Sequence, residues 1–176
     1  PMDNSLIRNP MINVNADDDK TSRNFFVNGF VDILLPVKGL SVRSNLGYNY
    51  RSNFEGSYYG RNTFEGKNAN GKASIANTNY WDYTWENILK YNREFGNHRV
   101  DATGLFSLQE TQSKWSKLTG TSFVNDDSSY YNMNAAEANK TIESSLKETA
   151  MFSYMLRFNY SYAAQYMLTL TGRSDG

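Results

Sequence analysis

Apolar and polar residues alternate along most of this chain, and the alternation has a period of two. In "RNFFVNGFVDILLP" Phe25, Val27, Gly29, Val31 and Ile33 share one parity, while Asn24, Asn28 and Asp32 share the other, with Phe26 and Phe30 as apolar guests on the polar side. That spacing predicts a strand. "PVKG" at 36–39 then supplies a proline that fixes φ and a glycine for a positive-φ position, which predicts a tight hairpin turn. After it Leu40, Val42, Leu46, Tyr48 and Tyr50 alternate with Ser41, Arg43, Asn45, Asn49 and Arg51. In "YWDYTWENILKYNREF" the side carrying Trp81, Tyr83, Trp85, Leu89 and Tyr91 opposes Asp82, Thr84, Glu86, Lys90 and Asn92, and only Asn87 breaks the oily parity. The turn "FGNH" leads to Val100, Ala102, Gly104, Phe106 and Leu108 set against Arg99, Asp101, Thr103, Ser107 and Gln109. Finally Phe152, Tyr154, Leu156, Phe158, Tyr160 and Tyr162 oppose Ser153, Met155, Arg157, Asn159 and Ser161, before "YAAQY" turns into a last strand. The pattern predicts an all-β chain of about six antiparallel, up-and-down strands, at 23–35, 40–55, 80–94, 98–113, 149–162 and 166–174, with no domain boundary between them.

The connections alternate as well. Those at 36–39, 96–97 and 163–165 are short, whereas 56–79 and 114–147 read as long loops, the second with a possible short helix around "NAAEANKTIESSLKE". Large outer-membrane barrels have short periplasmic turns and longer extracellular loops. Charge placement agrees with such a wall: Asp32, Arg43, Glu86, Lys90, Asp101 and Arg157 all fall on the polar parity and are expected to face the lumen. A lipid-facing Arg or Lys at the midplane would be destabilising by roughly 2–4 kcal/mol. The opposite parity would carry a lipid-facing girdle of Trp81, Tyr83, Trp85, Tyr91, Phe152, Tyr154, Tyr160 and Tyr162. From Trp81 to Tyr91 a strand runs about 33 Å, or about 23 Å of height at a tilt near 45°, close to the apolar band of about 25 Å in such barrels. A soluble β-sheet module for binding or adhesion also alternates, but its strands would carry more Val and Ile inward and its loops would be less regular.

Composition sharpens the choice. The chain holds 13 Tyr, 10 Phe and 3 Trp, yet its mean hydropathy is −0.66, a pairing that strands with one oily and one wet face produce. Lys plus Arg and Asp plus Glu are both 18, so no net field recruits nucleic acid. The longest apolar run, "VDILLPV", is far too short for a membrane helix of about 20 residues. With no cysteine and a lone histidine, His98, in a turn, neither a catalytic triad nor a thiolate metal site is supported. Asp17, Asp18 and Asp19, like Asp126 and Asp127, lack the spacing of a calcium loop and read as solvated acidic loops. No catalytic residue, metal or cofactor is expected. The loop rings Tyr58, Tyr59, Trp115, Tyr130 and Tyr131 are the candidates for ligand or partner contact, by stacking on a sugar or on a partner protein.

The segment "RFNYSYAAQYMLTLTGRSDG" resembles a characteristic stretch of SusC-like (RagA-like) TonB-dependent transporters of Gram-negative outer membranes. Other parts match that family in order: "NP" at 9–10, "DDDKTSRNFFVNGFVDI", "KGLSVRSNLGYNY", "WENILKYNREFGNHRV" and "YYNMNAAEA". The chain departs from the family at Ala164, Gln165 and Ser174, where basic residues are usual. The resemblance implies a barrel of about 22 strands, of which this chain would be a segment, without plug, carboxypeptidase-like domain or TonB box, stopping where another strand would continue. It also implies import of an oligosaccharide or peptide, a SusD-like surface lipoprotein as partner, and coupling to TonB through the plug. A plug would cover the apolar guests of the lumen parity, Phe26, Phe30, Ile88, Leu105, Met155 and Met167.

Overall fold

The computed structural model describes residues 16–176, so the "NP" at 9–10 lies outside the described residues. Six strands follow one another: β1 (Asp17–Leu34), β2 (Leu40–Tyr59), β3 (Lys72–Phe95), β4 (His98–Phe123), β5 (Ala136–Tyr162) and β6 (Tyr166–Asp175). A single helical turn, α1 (Phe64–Lys67), precedes β3. All six strands lie in one sheet in chain order, an antiparallel meander with β1 and β6 as its edges. In the β5–β6 ladder Tyr162 faces Tyr166, Phe158 faces Leu170 and Leu156 faces Gly172.

The strands run further than the alternation predicts. β3, β4 and β5 have 24, 26 and 27 residues, so the expected loop at 114–147 narrows to 124–135 and the one at 56–79 to 60–71. The helix expected around "NAAEANKTIESSLKE" is instead the first half of β5, preceded by two 3₁₀ turns. Both faces of this stretch are polar, so no period of two marks it. β-branched side chains and cross-strand hydroxyl pairs, Thr119 with Thr141 and Thr111 with Thr149, favour the pleated ladder there. α1 forms because Thr63 caps it, its hydroxyl accepting from the Gly66 N–H at 3.0 Å.

By packing, the chain divides into two units. One consists of the segments up to Asn24, Arg51–Tyr80 and Ser113–Lys147; the other of Phe25–Tyr50, Trp81–Gln112 and Glu148–Gly176. The first has a small closed core of Tyr58, Ala73, Phe123, Tyr130 and Ala136. The second has large apolar side chains standing exposed on one side of the strands, among them Phe25, Val31, Tyr154 and Leu156.

The β5–β6 turn shows how the backbone is spent. Ala163 and Ala164 both lie in the left-handed region (φ 49° and 55°), and the Gln165 N–H closes on the Tyr162 carbonyl at 3.0 Å. This mirror-image turn matches the twist of the strands but is usually made by Asn-Gly. Ala164→Gly should therefore stabilise the full-length barrel, by about 0.5–1 kcal/mol, read as a higher urea midpoint in lipid vesicles. No change would show that the turn relaxes without strain.

Candidate functional site

In the second unit the polar parity forms a bonded network. Arg43 Nε lies 3.2 Å from Asp32, and its guanidinium sits 4.2 Å above the Phe30 ring. Asn45 donates to Glu86 at 3.3 Å and Asn49 to Asp82 at 3.0 Å. Asp101 accepts from Asn92 at 2.9 Å and from Asn159 at 3.4 Å. Arg157 donates to Thr171 at 3.4 Å. Five of the six charged residues singled out from the sequence are thus tied across strands. Lys90 shares their parity and has no ion-pair partner among the described residues. Phe26 and Phe30 stand 71% and 63% exposed beside this network, which leaves them in need of cover.

The opposite parity is a chain of rings. Phe25 meets Tyr48, Trp81 stacks on Tyr83, Trp85 meets Phe106 edge to face with centroids 6.1 Å apart, and Phe106 meets Tyr154 at a tilt with centroids 5.3 Å apart. Tyr160 and Tyr162 gather His98, whose Nδ1 is 2.6 Å from the Tyr160 hydroxyl and whose ring is 4.9 Å from that of Tyr162. A polar belt edges the rings, and sequence reading misses it. Trp81 Nε1 donates to Gln112 at 3.1 Å, Gln112 donates to Glu148, and the Tyr83 hydroxyl is bonded to Glu110. The signal is present in the sequence, since 110, 112 and 148 are ring-parity positions just past the last apolar ones. Rings with a polar handle suit a boundary between oil and water.

The first unit corrects the ring assignment. Tyr58 and Tyr130 are only 3% and 2% exposed, so they are core and not contact surface. The Tyr58 hydroxyl donates to Asp126 at 2.8 Å; burial, reinforced by that carboxylate, holds its phenol well above the ordinary value. Tyr130 donates to Asp19, and that bond, with one to Tyr131 at 2.9 Å, pushes its phenol up as well. Ser129 donates to Asp17. Asp17, Asp19 and Asp126 are therefore acceptors that fasten the 124–135 loop, not free acids of a solvated loop. The loop reaches back as a strap to β1 and crosses β2 at Gly56, where a Cβ would stand 2.6 Å from the Tyr130 ring. Tyr131 stays 77% exposed. Tyr59 and Trp115 are half-buried and line an open groove with Asp18, Lys20, Glu55 and Lys117, and Lys72 Nζ lies 5.9 Å from the Tyr59 ring centre. Among the described residues no group of three or more potential metal ligands occurs.

No protein-family model matches the chain. Among curated proteins, TonB-dependent receptor P3 of Formosa agariphila is 30% identical over 140 residues, covering 80% of this chain and 14% of that protein. TonB-dependent receptor P26 of the same organism is 28% identical over 174 residues, covering 96% and 17%. The chain thus spans less than a fifth of the length of the curated relatives it matches. Among solved structures, the RagAB peptide transporter superposes with a TM-score of 0.80 at 19% identity, over 94% of this chain and 18% of that one. The RagAB peptide importer in its closed-closed state gives 0.77 at 18%, over 91% and 18%. At such identities the structures establish the fold, a stretch of barrel wall, and the curated relatives are receptors, not enzymes.

Proposed function

Because this chain belongs to the TonB-dependent receptors, as a stretch of SusC/RagA-like barrel, we propose that it forms part of the wall of an outer-membrane importer, with its ring-bearing face in lipid and its bonded polar face toward the lumen. The observation that carries this is the separation of the two parities. Asp32, Arg43, Glu86, Asp101 and Arg157 are tied across strands on one face, while Phe152, Tyr154, Leu156 and Trp85 stand 47%, 57%, 64% and 41% exposed on the other. A soluble sheet would bury that second face against another layer; hydrocarbon covers it without one.

The cargo in this reading is an oligosaccharide or a peptide, captured with a SusD-like lipoprotein and released inward when TonB acts on the plug. Tyr59 and Trp115 support the contact role, since they share parity with Arg43 on β2 and with Asp101 on β4 and remain accessible. The 77% exposure of Tyr131 on the strap supports a role for that ring in meeting a partner protein.

Orientation is testable by labelling single cysteines in a cysteine-free full-length receptor. Asp127→Cys, in the connection between β4 and β5, should react with a membrane-impermeant maleimide on intact cells. Lys38→Cys, in the short β1–β2 turn, should react only after permeabilisation. The reverse pattern would invert the barrel, and equal labelling of both would argue against a membrane wall.

A further inference from the structure

At the short-turn end of the second unit, the ring-bearing parity of β3 continues past Tyr91 to Arg93 and Phe95. The Arg93 guanidinium sits over the exposed Phe95 ring, 4.6 Å from its centre. Such stacking engages the flat face of the guanidinium and leaves the N–H donors along its edge free to bind something else. Nothing in the chain takes them: among the described residues the Arg93 side chain has no carboxylate within ion-pair distance and no hydrogen-bonded acceptor. The β1–β2 turn brings a second cation to the same end. Its Gly39, at φ 86°, accepts from the Asn92 N–H at 2.8 Å, and a Cβ on Gly39 would stand 2.1 Å from the Asn92 carbonyl oxygen and 3.7 Å from the Arg93 Cβ. Glycine is what lets the turn seat there. Lys38, the residue before it, is exposed and likewise has no carboxylate partner among the described residues. The adjoining acid on β3, Glu94, has the other parity and pairs with Arg99 at 3.7 Å.

Depth decides what these two cations would meet. Arg93 lies two residues beyond Tyr91, about 7 Å further along the strand, or about 5 Å of height at a tilt near 45°. The headgroup layer on each side of the hydrocarbon core is itself about 5–7 Å deep. A cation just past the last ring of the span therefore stands among lipid phosphates. A guanidinium matches a phosphate through two parallel N–H donors, and an ammonium adds a point charge beside it. A zwitterionic headgroup would also bring a cation, for which the patch offers no carboxylate, so the chemistry favours a headgroup of net negative charge. We propose that Arg93 and Lys38 bind the phosphate of an anionic phospholipid whose acyl chains lie along Phe95 and Tyr91 on the same face. The inference rests on the assignment of this face to lipid.

The test titrates the purified full-length receptor with phosphatidylglycerol and with phosphatidylethanolamine and counts the lipids retained by native mass spectrometry. The wild type should hold one phosphatidylglycerol about tenfold more tightly than phosphatidylethanolamine. Arg93→Gln combined with Lys38→Gln should lower that affinity about tenfold, to the level of phosphatidylethanolamine. Lys90→Gln, which removes a cation from the other face of the same strand, should leave it unchanged. Equal wild-type affinity for the two lipids, undiminished affinity in the double variant, or the same loss in Lys90→Gln would each overturn the proposal. So would displacement of the lipid by inorganic phosphate, which would make this a site for the free ion. A separate measurement isolates the assignment beneath it: in lipid nanodiscs the thiol of Leu89→Cys, four residues back on the same parity, is shielded from a hydrophilic maleimide. Rapid labelling of that thiol would show that the face assignment itself had failed, whereas a shielded thiol with equal lipid affinities would remove the phosphate site alone.

Discussion

Phe158→Arg in the full-length receptor should cut the amount of inserted, heat-modifiable barrel sharply, whereas Asn159→Arg one residue away should leave it near the wild-type level. Phe158 lies on the ring-bearing parity of β5, opposite Leu170, close to the middle of the Phe152–Tyr162 span. With the proposed lipid face on this parity, a guanidinium there would sit near the bilayer midplane, which is destabilising by about 2–4 kcal/mol. Asn159 belongs to the other face, where its amide donates to Asp101 at 3.4 Å and its carbonyl accepts from Thr169 at 3.0 Å. An arginine at 159 would keep a cation's donors beside the Asp101 carboxylate in a wet lumen. Outer-membrane fractionation and urea unfolding in vesicles measure both variants; equal losses would undo the assignment of faces.

That contrast is legible in the sequence, because a one-residue shift in a strand moves a side chain to the other face. The residues carrying it divide between bonds across strands, as at Asp32, Arg43 and Arg157, and contacts between rings, as at Trp81 and Tyr83. What parity does not show is where each strand ends. The last part of β4 and the first half of β5 are polar on both sides, as "TQSKWSKLTG" and "ANKTIESSLKE" show. Their pairing is held by threonine hydroxyls and the backbone ladder, which leave no hydrophobic period.

The loop rings escape sequence reading for a related reason. Gly- and Asn-rich surroundings suggest that Tyr58 and Tyr130 are exposed, but local composition does not report which loop folds onto which strand. The decisive features are long-range: Gly56 leaves room for the Tyr130 ring, and Asp126 and Asp19 receive the two phenols. Glycine at 56 and aspartate at 19, 111 residues from its tyrosine, form no pattern that a scan along one chain can detect.

The same long-range packing predicts a second large effect, in the unit that holds the Tyr58–Tyr130 core. Phe123 closes β4 and is 2% exposed. Its ring meets Tyr58 edge-on at 5.3 Å, and its backbone N–H donates to the Asn70 carbonyl at 2.9 Å. Both connections therefore lean on it: the 60–71 segment through Asn70 and Gly71, and the strap through the chain that continues from Val124. Phe123→Ala removes a buried ring, a change that typically costs about 3–5 kcal/mol. The loss falls on the docking of these loops, because the strand ladders themselves do not depend on that side chain. When opening is fast, proteolysis tracks the population of the open form, and every 1.4 kcal/mol is about a factor of ten. Cleavage within 60–71 and 124–135 on the assembled receptor should thus accelerate about a hundredfold or more, with the strands of the sheet still protected. Val124→Ala, at a neighbouring residue that is 68% exposed, should change the rate little. If Phe123→Ala were cleaved no faster than Val124→Ala, the loops would be held by their hydrogen bonds, to Asp17, Asp19, Asp126 and the Asn70 carbonyl among others, and the ring core would contribute nothing to the strap.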